Sequence, residues 1–253
     1  IMEPFFADFD LAQLSLYLFW VFFVGLVIYL QRENNREGFP LETESGDVSS
    51  NQGMPSVPSE TKTFNLPHGR GTATVPDHGR DKRDFALEIN NVASGSPLLP
   101  TGDPMVDGVG PAAWAERRDL PELDGHGNPK LQPMRNVEGY DVSAGRDPRG
   151  MNVVSADKKV VGKVTDLWID VPEQLVRYLE VELTNKTACI LPMPLMKINE
   201  STVNVNSLYG KHFPNVPKTK SNKEVTMLEE EKICAFVGSG NLYASYDRLS
   251  SPF

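Results

Sequence analysis

A run of twenty mostly apolar residues near the N-terminus dominates the hydrophobic pattern of the chain. Residues 11–30, LAQLSLYLFWVFFVGLVIYL, contain no charged side chain, and Gln13 and Ser15 are the clearly polar positions. At about 1.5 Å rise per residue a helix of this length spans roughly 30 Å, the thickness of a bilayer's hydrocarbon core. The pattern predicts a transmembrane helix with a polar extension through residue 36, which Gly38 and Pro40 terminate.

Two other interpretations of this run are a cleaved signal peptide and a buried core helix. A signal peptide needs a basic start and a small-residue cleavage site, whereas acidic residues precede this run. A core helix rarely stays uncharged over such a length. Residues 1–30 hold no Lys or Arg, and Arg32 and Arg36 follow at once. The positive-inside rule therefore places the tail of residues 1–10 in the periplasm and the long C-terminal part in the cytoplasm.

Between residues 37 and 110 the apolar pattern is weak, and Pro and Gly are frequent. A disordered linker is one interpretation of this segment. Spaced apolar residues such as Phe39, Phe64 and Phe85 argue against it, because disordered segments are usually poor in such anchors. We expect an ordered, extended and irregular segment that lies along the membrane face or on a partner.

Residues 111–253 are predicted to form a cytoplasmic domain, so that the chain is a single transmembrane α-helix plus a mainly-β (α+β) domain. From residue 151 onward, short β-rich runs are separated by turns, as in LVRYLEVELT, where apolar and polar positions alternate. Several such strands predict a small antiparallel sheet or barrel. One helix is predicted near the end, starting at Thr226 in a capping box with Glu229 and ending at Gly238.

The net charge of −9 is unevenly distributed. Residues 1–150 hold 22 acidic and 13 basic side chains, whereas residues 151–253 hold 12 of each. The sequence contains no basic block, so nucleic acid is not expected as a partner. The two cysteines, Cys189 and Cys234, match no metal-binding spacing and are predicted to be reduced and buried.

One cluster of titratable residues lies in PELDGHGNP. Glu122, Asp124 and His126 are spaced two residues apart, so an extended backbone would place them on one side. The glycines and prolines around them indicate a surface loop. A solvated acidic loop is one interpretation. The other is a group of carboxylate and imidazole side chains that exchanges protons near working pH.

A second cluster lies in IDVPEQLVR, which contains Asp170, Glu173 and Arg177. Pro172 disfavours a helix before it and indicates a turn between two strands. An ordinary surface ion pair, worth little when exposed, is one interpretation of this cluster, and a role in chemistry is the other. Further along the chain, Glu229–Glu231 are interpreted as a solvated helix face.

Several longer motifs resemble those of one family. The apolar run ends in FWVFFVGLVIYLQRENNREGFPLE, and PTGDPMVDGVGPAAWAERRD, LPELDGHGNPKLQPMR, DPRGM, GKVTDLWIDVPEQLVRYLEVEL and EVTMLEEEKICAFVGSGNLYA follow in order. The chain resembles the H subunit of the photosynthetic reaction centre of purple bacteria over nearly its whole length. Residues 41–95 match least well.

The resemblance implies a single-pass protein of the bacterial inner (intracytoplasmic) membrane whose cytoplasmic part is a PRC barrel. It implies a non-catalytic subunit of a light-driven electron-transport complex, which caps two core subunits of L and M type and helps conduct protons to the secondary quinone. The cofactors of the complex, expected on the core subunits and not on this chain, are bacteriochlorophyll, bacteriopheophytin, non-haem iron and quinones, with carotenoid as a further candidate chromophore. Membrane lipid is an expected partner, and antenna proteins or a cytochrome subunit are further candidates.

The resemblance also implies roles for individual residues. Asp124 and His126 match family residues that lie where protons enter and that bind inhibitory transition metals. Asn128 stands where the family has a second His, and an amide is a poor ligand for zinc-like ions, so a metal site on Asp124 and His126 is only weakly indicated. Glu173 and Arg177 match residues of the proton path near the quinone, and Asp170 is a weaker match.

Two rival functions are left open by the sequence. A single-pass membrane adapter would use its β domain to bind some other protein complex and would purify without pigments. A membrane-anchored enzyme that uses Asp124 and His126 would need a third catalytic group, which the sequence does not supply.

Overall fold

The computed structural model of the chain describes residues 10–43, 47–53, 60–77, 81, 83–93 and 95–249. The chain divides into two compact units, residues 1–81 and residues 82–253. The predicted tail of residues 1–10 lies outside the described part, except for Asp10. Parts of the predicted irregular segment, residues 37–110, lie outside it as well.

The apolar run forms a single continuous helix, α1 (Leu11–Asn34), as predicted. Among the described residues it is the one helix long and apolar enough to cross a membrane, and none of its side chains is buried. Its polar end is held by ion pairs within the N-terminal unit. Glu33 accepts a hydrogen bond from Arg36 at 2.9 Å and lies 3.5 Å from the Lys62 ammonium group.

Two short antiparallel pairs of strands lie within the segment predicted to be irregular. The N-terminal unit contains β1 (Lys62–Asn65) paired with β2 (Thr72–Val75). The larger unit contains β3 (Leu87–Ile89) paired with β4 (Leu98–Pro100). Most residues of these four strands are exposed. Two-stranded sheets of this kind are marginally stable in water on their own, so their surroundings must contribute to their order.

The larger unit is built on a seven-stranded sheet. Its strands are β5 (Leu131–Pro133), β6 (Asn152–Ser155), β7 (Val160–Asp170), β8 (Leu175–Leu183), β9 (Ala188–Pro192), β10 (Met196–Ile198) and β11 (Thr202–Val205). The order is β10-β11-β6-β7-β8-β9, and β5 pairs with the end of β7. The β11–β6 pair is parallel and the other named pairs are antiparallel. A mainly-β domain with one N-terminal apolar helix confirms the predicted fold class.

The hydrophobic core lies on β7 and β8 and on the helices that pack near them. Leu167, Trp168, Leu179 and Val181 are at most 1% exposed. A short helix, α2 (Pro104–Asp107), adds the buried Met105. Buried and half-buried positions alternate from Leu179 to Leu183 in β8, because successive side chains of a strand point to opposite faces of the sheet. The last five residues of β7, by contrast, are all buried.

The long C-terminal helix, α3 (Met227–Tyr243), begins as predicted and ends later than predicted. Thr226 and Glu229 form the reciprocal capping box. Gly238, the predicted end, lies inside the helix, and the helix continues to Tyr243. A Cβ at Gly238 would make only an ordinary contact with Leu195, at 3.8 Å, whereas a Cβ at Gly240 would lie 2.4 Å from the Ser207 carbonyl oxygen. Glycine at position 240 therefore permits close packing of the helix.

Candidate functional site

The PELDGHGNP stretch forms a narrow hairpin loop. The Lys130 amide donates to the Glu122 carbonyl and the Asp124 amide to the Asn128 carbonyl, both at 2.8 Å. The Asp124 carboxylate closes the tip, because its Oδ1 accepts from the amides of His126 and Asn128, also at 2.8 Å. These bonds, the one from Asn128 first, lower the pKa of Asp124. Asp124 is therefore an ionised cap of the loop at neutral pH.

The donor set at this tip fits a zinc-like metal poorly. The second oxygen of Asp124 lies 3.4 Å from the Asn128 side-chain amide, so both carboxylate oxygens already have partners. Across the described ranges, no group of three or more His, Cys, Asp or Glu side chains could hold a metal ion. The metal site on Asp124 and His126 stays a weak prediction. His126 is exposed at the tip of the loop.

Lys130 joins this loop to the turn between β7 and β8. Its ammonium nitrogen lies 3.2 Å from Glu173, 3.4 Å from Asp170 and 3.8 Å from Glu122. The sheet produces this arrangement, because β5 pairs Leu131 with Asp170 and thereby places Lys130 at the end of β7. The hydrogen bond with Glu173 is the largest effect that raises the pKa of Lys130, with further contributions from Asp170 and Glu122. Lys130 therefore stays charged among three carboxylates.

We call the charged residues around this turn the turn cluster. Its members are Glu122, Lys130, Asp170, Glu173 and Arg177.

Asp170 is the buried centre of the turn cluster, with 3% of its surface exposed. Its Oδ1 accepts from the Glu173 amide at 3.1 Å, and its Oδ2 lies 3.8 Å from Arg177. The Glu173 side chain, by contrast, is 53% exposed. Glu173 and Arg177 lie four residues apart in the sequence, but in the described part of the chain the cation in contact with Glu173 is Lys130. Lys130 could not be identified from the sequence, because only the pairing of β5 with β7 brings it to this turn.

A second group lies where β8 meets α3. The Tyr178 hydroxyl donates to Glu230 Oε2 at 2.8 Å and lies 3.4 Å from Cys234 Sγ. Tyr178 is 3% exposed. Glu230 and Cys234 are four residues apart, so α3 presents both side chains on one face. We call these three residues the hydroxyl cluster.

The pKa of Glu230 is affected by residues of both the hydroxyl cluster and the turn cluster. Desolvation is the largest effect that raises its pKa, and the nearby charges of Glu122 and Asp170 add to it. The hydrogen bond from Tyr178 and the charge of Arg177 lower the pKa, but they compensate only in part. The hydroxyl cluster is thus electrostatically linked to the turn cluster.

The predicted solvated face of Glu229–Glu231 is wrong for its first two members. Glu229 is 7% exposed and accepts from the amides of Thr226 and Lys220. Successive residues of a helix point about 100° apart, so three adjacent glutamates cannot share one face. The cysteines also differ from each other, because Cys189 is buried as predicted and Cys234 is exposed.

Two family models match this chain. Residues 3–136 match the model for the photosynthetic reaction centre H-chain N-terminal region. The chain belongs to the photosynthetic reaction centre H-chain family. Residues 141–212 match the PRC-barrel domain, which covers β6 to β11. Both matches confirm the resemblance seen in the sequence motifs.

The family accounts for several coarse features of this H chain. The N-terminal apolar helix and the family together indicate a single-pass membrane protein. The family is a structural subunit, and its members associate with other reaction-centre core subunits. Its complexes carry pigments and quinones.

Proposed function

We propose that this H chain caps the L- and M-type core subunits on the cytoplasmic side of the membrane and helps conduct protons to the secondary quinone. In this proposal α1 crosses the membrane with its N-terminus in the periplasm. Arg32 in the last turn of α1 and Arg36 just after the helix support that orientation. The pigments, iron and quinones belong to the core subunits.

The observation that carries the proposal is the link between the loop tip and the β7–β8 turn. The hairpin of residues 122–130 presents an exposed imidazole at its tip and ends at Lys130. Lys130 in turn contacts Asp170 and Glu173. One hairpin therefore spans from a water-exposed titratable group to a buried carboxylate, a distance that protons must cross if the quinone lies under this domain.

The members of this path have different tasks in the proposal. A quinone reduced by two electrons takes up two protons, and groups of carboxylates with ordered water can relay them. Glu173 is the relay group, because its half-exposed carboxylate can face a neighbouring subunit. Asp170 and Arg177 are positioning residues that fix the turn. Asp124 and His126 lie where protons enter.

The test is the Glu173→Gln variant in the purified complex, followed by absorption kinetics after one and two flashes. We expect the second, proton-coupled electron transfer to the secondary quinone to slow by about tenfold or more, since general acid–base groups commonly contribute at least that much. Pigment content and primary charge separation should match the native complex.

The matched control is Glu182→Gln. Glu182 has a comparable side-chain exposure of 44% and a single ion pair with Lys186 at 2.9 Å, but it lies outside the turn cluster. A second-flash rate in Glu173→Gln equal to that of the control at every pH would reduce Glu173 to a surface ion-pair partner. Loss of charge separation would indicate a structural role instead.

A further inference from the structure

The Tyr178 hydroxyl has one hydrogen to donate and two neighbouring groups that can accept a hydrogen bond from it. Glu230 Oε2 lies at 2.8 Å and Cys234 Sγ at 3.4 Å. A tyrosine hydroxyl donates one hydrogen bond at a time and accepts others through its oxygen. Burial raises the pKa of Tyr178 far above its usual range, so the hydroxyl keeps its proton. The direction in which the hydroxyl points must therefore depend on whether Glu230 and Cys234 each donate or accept a hydrogen bond.

We propose that Glu230, Tyr178 and Cys234 form a proton-linked switch. When Glu230 is ionised, Tyr178 donates to its carboxylate, and the tyrosine oxygen can accept from the Cys234 thiol. When Glu230 takes up a proton from water, its new O–H donates to the tyrosine oxygen. The tyrosine O–H then turns to donate to the Cys234 sulfur. The one covalent change is the transfer of a proton from a hydronium ion in the solvent, whose O–H bond breaks as the O–H bond on Glu230 forms.

The charges around Glu230 suit such an exchange. Asp170 at the end of β7 and Glu122 in the hairpin disfavour its ionised form, whereas Arg177 on β8 favours it. On α3 itself, Glu231 acts on Cys234. Charges of both signs therefore act on Glu230, and desolvation is the largest effect that raises its pKa.

The Cys234 thiol provides a spectroscopic signal for the state of the switch. Cys234 is exposed as a residue, but its sulfur lies against the buried Tyr178 hydroxyl. Desolvation there raises the pKa of Cys234, so the sulfur carries its hydrogen at neutral pH. An S–H group that changes from donor to acceptor changes its stretching frequency.

The experiment is infrared spectroscopy of the S–H stretch in the intact complex as the pH is varied. We expect the Cys234 band, assigned by its loss in Cys234→Ser, to shift along a single titration. Cys189 supplies an internal reference, because burial raises its pKa to about 12 and it should show no shift over the same range. In Glu230→Gln the shift should be lost completely, while Glu231→Gln on the same helix should retain it.

A Cys234 band that does not move with pH in the native complex would overturn the switch, without recourse to any variant. A titration that persists in Glu230→Gln would overturn it as well. Tyr178→Phe supplies a further test, since it keeps the ring and removes the hydroxyl, and a band that still titrates there contradicts the proposal.

The switch can also be linked to the quinone, and this link rests on the proposed function. A proton held on Glu230 can compensate charge when a quinone nearby is reduced. If so, the Cys234 band should change after a flash that reduces the secondary quinone. A normal pH titration without a flash-induced change would leave the switch standing and overturn the link, whereas a normal Glu173→Gln second-flash rate bears on the relay alone.

Discussion

Glu173 and Glu230 are the same residue type in two different settings. Glu173 is about half exposed and contacts a cation, Lys130. Glu230 is partly buried and contacts a neutral hydroxyl, that of Tyr178. A cation favours an ionised carboxylate directly, whereas a hydroxyl can serve either protonation state. The turn cluster is therefore organised by fixed charge, and the hydroxyl cluster by a hydrogen bond that can reverse.

The comparison also separates burial from function. Within the turn cluster, the buried Asp170 holds two cations and the turn backbone, while the exposed Glu173 holds one cation. Removal of one partner from a buried ion pair lowers the free energy of unfolding strongly, whereas removal of one partner from an exposed pair changes it little. The residue that matters most for the fold should thus differ from the proposed relay residue.

The largest expected effect is on Asp170. Asp170→Asn keeps the size and one acceptor oxygen but removes the charge between Lys130 and Arg177. We expect the full-length chain in detergent to lose about 3 kcal/mol of unfolding free energy, measured by chemical denaturation. Glu173→Gln is the control, with an expected change below about 0.5 kcal/mol. Equal losses in the two variants would contradict the division between buried and exposed members.

Asp157, a carboxylate outside both clusters, sharpens the comparison. The hydrogen bonds that it accepts stabilise its ionised form. Asp157 accepts from Ser155 Oγ at 2.6 Å and from the Gly210 amide at 2.8 Å. The Ser155 bond is the largest effect that lowers the pKa of Asp157. We expect Asp157→Asn to cost about 2 kcal/mol at neutral pH.

The sign of the pH dependence follows from that lowered pKa. The stabilisation by Asp157 is fully present above its ordinary pKa of 3.8 and is lost as the pH falls toward the folded value. The penalty of Asp157→Asn should therefore shrink in acid, as denaturation at several pH values would show. A penalty that is constant with pH would mean that packing, not charge, accounts for it.

Glu230 should show the opposite slope. Its pKa is raised, mainly by desolvation, so the folded protein binds a proton more readily than the unfolded chain. Its contribution to stability is present below the ordinary pKa of 4.5 and is lost as the pH rises through the folded value. Glu230→Gln should flatten this decline, at a cost of about 1 kcal/mol at low pH from the altered Tyr178 bond. The same decline in native and variant chains would exclude Glu230 as its source.

Features governed by local pattern were predicted well from the sequence. The uncharged run of residues 11–30 predicted the helix α1, and the capping box of Thr226 and Glu229 predicted the start of α3. Both features depend on residues that are close together in the sequence. The pairing of Lys130 with Asp170 and Glu173 could not be predicted, since it follows from the register of β5 against β7. Likewise, only the packing of α3 near β8 shows that Glu230 meets Tyr178. The roles of Asp124, His126, Asp170, Glu173 and Arg177 stay predictions.

The smallest expected effect is the salt dependence of the two contacts. A double-mutant cycle on Glu173 and Lys130 should give a coupling energy of about 0.5 kcal/mol at low salt. The screening length falls from about 30 Å at 0.01 M salt to about 3 Å at 1 M, so this coupling should approach zero at high salt. The corresponding cycle on Glu230 and Tyr178 should keep most of its value, because a short hydrogen bond between desolvated groups is screened little. If both couplings fell together with salt, the Glu230–Tyr178 contact would be as solvated as the Glu173 pair, and the contrast between the two clusters would fail.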